Sequence, residues 1–275
     1  MSQKTPGFAI IGLGFIADRH IAAIESVGGE LLIACDIDKK KEHKAGEAAF
    51  YDDWMEMDKH ERFKDVEYVV ICTPNNIHNM LARHFTRLGK KIICEKPLVL
   101  DTSELFGLGD NVKNIVQLRY NPEIMALKEK DLKDVRDVEF KVSIHRDSWY
   151  FKSWKADNEQ SGGLIFNIGI HYFDLLCYLF GEVSSYSISR EDDYTMKGVV
   201  TFKDYTMRAS WYLSIKAPMD NQERYLKIDG KAINLTKGFE TLHNVVYQEI
   251  LAGRGFRPID VAPALVLAER MTNGG

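Results

Sequence analysis

One short run, Phe8-Ala9-Ile10-Ile11-Gly12-Leu13-Gly14-Phe15-Ile16-Ala17, restricts the fold of this chain more than any other stretch. Four apolar residues end at a glycine turn and a helix-forming segment follows, so a buried strand delivers the chain straight into a helix. Gly12 and Gly14 let the backbone approach a pyrophosphate. Phe15 and Ile16 open a helix whose free N–H groups and positive dipole end face that charge, and Ala17 takes the third small position. GxGxxA also occurs as plain tight packing, so its surroundings decide. A second apolar run, 31–35, ends in Asp36, 24 positions after Gly12. A carboxylate there bonds both ribose hydroxyls of an adenosine and repels a 2′-phosphate, which favours NAD over NADP. The alternative makes Asp36 or Asp38 the N-cap of a helix carrying Lys39 to Ala49.

Strand and helix patterns alternate up to about Gln117, with strands expected near 8–11, 31–35, 68–72, 91–94 and 114–117. Helices are expected between them, for example over 77–88 and 102–108. Such alternation implies a doubly wound parallel sheet with its ligand crevice outside the carboxyl ends of the strands. Beyond Pro122 the period changes to two: Val138, Phe140, Val142 and Ile144 alternate with polar residues, as do Met207, Ala209, Trp211 and Leu213. Segments 224–229 and 232–235 flank Gly230-Lys231 as a hairpin. The expectation is an α/β chain: a Rossmann domain over 1–120, then an α+β domain over 121–275 with a large, mostly antiparallel open sheet.

A net charge of −4 with both signs interspersed supplies no basic field for nucleic acid or an anionic membrane. The longest apolar region, 164–180, carries Asn167, His171 and Asp174 and falls short of a clean membrane span. The four cysteines, Cys35, Cys72, Cys94 and Cys177, are far apart in sequence and each sits in an apolar stretch. They read as core fillers in a reduced, cytoplasmic protein, with no metal site.

Polar residues gather after the strands. Thr73-Pro74-Asn75 with His78 follows the third and Glu95-Lys96-Pro97 the fourth, where a nicotinamide is within reach. Pro97 keeps Lys96 extended and allows a cis bond. The segment 162–176 reads as a helix apolar nearly all round, with Asn167, His171 and Asp174 along one face. That stripe either satisfies itself, His171 bonding Asp174, or lines a substrate pocket. Arg119 and Lys155 offer cations for a carboxylate or diphosphate, or are surface charge; Trp149, Tyr150 and Trp154 frame a pocket near Lys155 or simply pack.

The strings GLGFIADRH, CTPNNIH, CEKPLVL and GGLIFNIGIHYFDLL resemble the Gfo/Idh/MocA family of nicotinamide-dependent oxidoreductases. QLRYNPEIMALKEK, SWYFKSWKADNEQSGG and TLHNVVYQEILAGRGF are most similar to its UDP-N-acetylglucosaminuronate 3-dehydrogenase branch, which serves bacterial surface-polysaccharide synthesis. The resemblance implies NAD as cofactor, an open-sheet domain making homodimer or homotetramer contacts, and a site between the two domains. It implies that Lys96 and His171 are catalytic. Gln117, Arg119, Lys155 and Asn167 would contact a UDP-N-acetylhexosaminuronate, Asn167 standing where most of the wider family has Asp. It further suggests that 2-oxoglutarate reoxidises bound NADH. Two competing functions are a dehydrogenase of a free sugar or inositol, and a catalytically silent NAD(H)-binding sensor. Oxidising a secondary alcohol needs a proton acceptor near neutral pH. An unperturbed histidine, at about 6.5, suits that better than a lysine at about 10.4. This makes His171 the acid/base and leaves Lys96 to stabilise developing alkoxide charge, although the two roles can be exchanged.

Overall fold

Strand β1 (Gly7–Ile11) is buried at every residue and lies between two parallel neighbours, β2 (Glu30–Cys35) and β4 (Val66–Ile71). This continuous apolar run is what a strand covered on both faces requires. The computed structural model describes residues 5–236 and 238–274, and the chain forms two compact units. The first comprises the chain through Leu98 together with Phe106–Ile115 and Glu240–Pro258; the second comprises Val99–Leu105, Val116–Phe239 and the residues from Ile259 onward.

In the first unit, β3 (Ala49–Tyr51), β5 (Lys91–Cys94) and β6 (Val112–Asn114) complete a six-stranded parallel sheet of order β3-β2-β1-β4-β5-β6. Helix α1 (Ala17–Ser26) follows β1, and α2 (His78–Arg87) follows β4. The sequence expectation of a helix over Lys39 to Ala49 is corrected to a 3-10 helix, Lys39–Lys44. Its six residues, KKKEHK, bury no side chain and so have no apolar stripe to pack, and Gly46 at φ +60° turns the chain away. The helix expected over 102–108 is likewise only a 3-10 turn, Thr102–Leu105, since the chain turns again at Gly107 with φ +83°.

The second unit holds helices α3 (Pro122–Lys128), α4 (Ser148–Phe151), α5 (Asn158–Ser161) and α6 (Ile170–Phe180). Its sheet has the order β12-β11-β7-β10-β9-β8. These strands are β7 (Asp137–Ser143), β8 (Val183–Asp192), β9 (Thr195–Phe202), β10 (Arg208–Ser214), β11 (Glu223–Ile228) and β12 (Lys231–Ile233). Only β7 and β10 pair in parallel. The β11–β12 turn is Asp229-Gly230, both at positive φ (47° and 74°), one residue before the Gly230-Lys231 expected. Phe140 on β7 stacks on Tyr172 at 4.9 Å and meets Phe173 at 5.3 Å, and Trp211 meets Phe173 edge-on at 5.3 Å. The other face of this sheet presents Ser187, Ser189, Lys197, Ser210 and Tyr212 around a shallow groove.

The stretch Asn158–Phe180 is long and apolar enough for a membrane span by length and composition, but 78% of its 18-residue apolar window is buried inside the protein. All four cysteines are free and buried. Two further helices complete the chain: α7 (Leu242–Leu251), in the segment that belongs to the first unit, and α8 (Pro258–Asn273).

Candidate active site

The glycine turn sits where the strand order reverses, between β2 and β4. Gly12 has φ +93°, its N–H donates to the Cys35 carbonyl at 2.8 Å, and a Cβ on it would stand 2.6 Å from the Cys72 carbonyl oxygen. No other residue fits there without moving backbone. A Cβ on Gly14 would meet nothing within 4 Å, so the turn is open on that side. Ile16, at the N-cap of α1, has no polar side chain to cap the helix, and Phe15 is 83% exposed. An open turn under an uncapped helix N-terminus fits the pyrophosphate of a dinucleotide.

Asp36 is 6% exposed. One carboxylate oxygen accepts the Leu13 N–H at 2.7 Å, and the other accepts the Asp38 N–H at 2.9 Å; the Lys41 ammonium lies 2.9 and 3.1 Å from the pair. The acid therefore joins the glycine turn to the end of β2, and Asp38 is the residue that caps the following 3-10 helix through Lys40 N–H.

Beyond β4, Thr73 and Pro74 are half-buried and Asn75 is buried, leading into His78 at the start of α2. The His78 ring lies between two main-chain oxygens, Nδ1 at 2.7 Å from Pro97 O and Nε2 at 3.0 Å from Thr73 O. It thereby ties the Thr73-Pro74-Asn75 loop to the Glu95-Lys96-Pro97 turn, whose Lys96–Pro97 bond is cis. Lys96 is half-buried and Glu95 buried at the carboxyl end of β5.

Three residues that sequence reasoning did not select converge on Glu95. His20 Nε2 donates to its carboxylate at 3.0 Å, while His20 Nδ1 accepts from the Tyr247 hydroxyl at 2.8 Å, so a neutral ring is fully satisfied. His243 Nε2 lies 3.5 Å from the same carboxylate oxygen. His20 shares the buried face of α1 with Ala17, Ala23 and Ile24, which was its one signal in the sequence. His243 and Tyr247 gave none.

Burial alone would raise the Glu95 carboxyl, but the hydrogen bond from His20 and the His243 ring beside it outweigh it and hold it well below the usual carboxylate range. Burial pushes His20 and His78 down, against the opposing pull of Glu95 on the first and of the Pro97 and Thr73 carbonyls on the second. All three shifts act with one sign. For the histidines, the stability they lend is complete above the unfolded value of about 6.5 and is lost as pH falls through their folded values. For Glu95 it is complete above about 4.3 and lost on further acidification. The urea midpoint is therefore expected to fall from about pH 7.5 to about pH 5, and a flat or rising midpoint would contradict the assigned charge states.

In the second unit, Gln117 and Arg119 lie on one 3-10 turn, Gln117–Tyr120, and both are buried. Arg119 binds Asp174 through two bonds, Nε at 2.9 Å and an η-nitrogen at 2.6 Å, and also donates to the Asp260 carbonyl at 2.9 Å. Both oxygens of Asp174 are thus engaged by Arg119. The buried Gln117 Oε1 has no hydrogen-bond partner among the described residues.

The expected single helical face is corrected. Residues Ile165–Gly169 form a π-helix that runs into α6, so the extra residue in that turn rotates Asn167 away from an α-helical alignment with His171 and Asp174. Asn167 Nδ2 instead donates to the Tyr150 hydroxyl at 2.8 Å and to the Lys155 carbonyl at 3.4 Å. The Lys155 ammonium lies 4.8 Å from the centre of the Trp154 ring. Asn167, Tyr150, Trp154 and Lys155 thus form one cluster, His171 is half-buried on the next turn, and Trp149 is 51% exposed.

A doubly wound sheet with an open glycine turn, a buried acid after β2 and polar strand ends defines a dinucleotide-binding oxidoreductase. Residues 7–117 match the oxidoreductase family, NAD-binding Rossmann fold, and residues 124–236 match that family's C-terminal alpha/beta domain. The chain belongs to this Gfo/Idh/MocA family of oxidoreductases, and its cofactor is NAD.

Among solved structures, the chain is similar to the WlbA (WbpB) dehydrogenase of Thermus thermophilus in complex with NAD and UDP-GlcNAcA. The TM-score is 0.89 and the identity 33%, over 98% of this chain and 95% of that one. The same enzyme with NAD and alpha-ketoglutarate matches at a TM-score of 0.88 over the same shares. Inositol 2-dehydrogenase of Rhizobium meliloti is 30% identical over 188 residues, 65% of this chain and 56% of that protein. The chain spans about half the length of the curated relatives it matches.

Proposed function

We propose that the protein is an NAD-dependent dehydrogenase that oxidises the sugar 3-hydroxyl of UDP-N-acetylglucosaminuronate or a close nucleotide sugar. The observation that carries this reading is the near full-length likeness to an enzyme crystallised with NAD and UDP-GlcNAcA. NAD, when bound, supplies the hydride acceptor, and Gly12, Gly14 and Asp36 would hold its diphosphate and adenosine ribose. His171 takes the hydroxyl proton, and Lys96 stabilises the negative charge that grows on that oxygen. Asn167, whose side chain cannot serve as a base, orients the sugar. Gln117 Oε1, buried with no partner among the described residues, is a ready acceptor for a substrate hydroxyl or amide. Arg119, which also pairs with Asp174, and Lys155 supply cations for the uronate or diphosphate.

The complex with alpha-ketoglutarate supports 2-oxoglutarate as the terminal oxidant. The open face of the second sheet is the proposed surface for self-association into a dimer or tetramer. The names of the curated relatives favour a second reading, oxidation of an inositol or free sugar.

Purified protein given UDP-N-acetylglucosaminuronate, NAD and 2-oxoglutarate is expected to form the 3-keto sugar and one equivalent of 2-hydroxyglutarate, followed by mass spectrometry. Turnover of inositols with none of the nucleotide sugar would replace the first reading by the second. Oxidation of neither, with NADH binding intact, would leave a cofactor-binding sensor.

A further inference from the structure

The Glu95 carboxylate is held by groups that come from well-separated parts of the sequence. Its Oε2 accepts the main-chain N–H of Lys96 at 3.1 Å, its Oε1 accepts from His20 at 3.0 Å, and His243 stands 3.5 Å from that same Oε1. Behind this layer Tyr247 bonds the far side of His20 at 2.8 Å, and the His20 and His243 rings meet edge to face at 5.1 Å. The Glu95 backbone is held as well, its carbonyl by the Asn114 side chain at 3.2 Å and its N–H by the Ile71 carbonyl at 3.0 Å. His20 lies on α1, and both His243 and Tyr247 lie on α7.

Burying a carboxylate, two imidazoles and a phenol together costs desolvation that apolar side chains of similar volume would avoid. His243 is 1% exposed, and neither of its ring nitrogens makes a hydrogen bond among the described residues, so it meets Glu95 through the 3.5 Å Nε2–Oε1 approach alone. Its position offers little stability and one geometric effect: it limits where the Glu95 carboxylate can swing. If that carboxylate turns away, the Lys96 N–H loses its charged acceptor and the main chain carrying the Lys96 side chain is released.

We propose that His20, His243 and Tyr247 are positioning residues that act on the reaction through Glu95 by fixing the main chain of Lys96. The inference rests on the role given to Lys96 above. A displacement of about 1 Å in a reacting group lowers turnover by roughly a hundredfold, so small freedom at this turn is enough to matter.

His243→Phe keeps the ring volume and removes both nitrogens, while His243→Gln restores a donor. The phenylalanine variant is expected to lose about tenfold in kcat with KM for the sugar changed less than about twofold, and the glutamine variant to recover most of the loss. A measurement without substrate separates this from the functional reading. In protein labelled with 15N-lysine, the Lys96 amide resonance, identified by its loss in Lys96→Arg, is expected to move upfield in His243→Phe as its bond to the carboxylate weakens.

An unmoved amide resonance in a folded His243→Phe protein overturns the network whatever Lys96 does. A moved resonance upholds the network even if Lys96→Ala keeps full activity, a result that would remove Lys96 from the reaction instead. Should His243→Phe fail to fold, Tyr247→Phe deletes one hydroxyl and is expected to give the same two changes at smaller size. The donor atoms of His20, Glu95 and His243 lie within 4.8 Å of one another. A stoichiometric divalent metal found in the purified protein and lost in His243→Phe would mean that coordination holds the carboxylate, and would overturn the proposal.

Discussion

Lys96→Ala is expected to lower kcat by roughly 10²–10⁴-fold, the range for a group that assists proton transfer or stabilises charge in the transition state. His171→Ala should fall in the same range, and the double variant should lose little more than the worse single one, because groups acting on one hydroxyl are not additive. NADH binding, followed by fluorescence, should survive in both, since the glycine turn and Asp36 are untouched. The pH profile divides the roles. If His171 is the base, activity falls as acid protonates it, so the acidic limb of kcat/KM should disappear in His171→Ala and remain in Lys96→Ala. The opposite pattern would exchange the two assignments, and full activity in either variant would remove that residue from the reaction.

The largest stability effect is expected at Asp174. This carboxylate and the Arg119 guanidinium are 4% and 3% exposed and meet through two short bonds. Their pairing is worth little relative to two well-packed apolar side chains, because removing both charges from water costs about as much as their attraction returns. Removing one partner is different. Asp174→Ala leaves the Arg119 charge buried opposite a gap where its carboxylate stood, with the Asp260 carbonyl and the face of Tyr178, 4.8 Å away, still among its contacts. The expected loss is about 3–5 kcal/mol in urea unfolding, a large part of the roughly 5–15 kcal/mol that holds a typical domain together. Arg119→Met with Asp174→Leu should recover most of it. A single-variant loss under about 1 kcal/mol would show that water reaches the pair.

Local patterns made the parallel sheet legible. The apolar run before Gly12, the acid after β2 and the polar residues after β4 and β5 are all set by neighbours in sequence and by strand burial. The alternation of Val138, Phe140 and Val142 foretold β7, since period two leaves little choice of face. The departures have physical causes. Lysine-rich 39–44 had good helix formers but no apolar side to bury, so a capped 3-10 turn was enough. The π-helix at Ile165–Gly169 was hidden because Asn167, His171 and Asp174 keep α-helical spacing in the sequence, which gives no sign of an extra residue in the turn. It changed the grouping of the site: Asn167 associates with Tyr150 and Lys155, and Asp174 with Arg119, where one shared stripe was expected. The His20, Glu95 and His243 cluster was illegible because its members lie 75 and 148 positions apart along the chain, and no periodicity links such distances.

Helix α7 belongs to the first unit although about 130 residues of the second precede it in the chain. During synthesis the amino-terminal half emerges first, yet Phe8 and His20 then lack the Tyr247 ring and hydroxyl they pack against and bond. The parallel sheet can pair early, but its buried carboxylate stays open to water on the α7 side until Leu242–Leu251 has been made. The NAD-binding unit therefore reaches its final form only after the strands of the second sheet have been made.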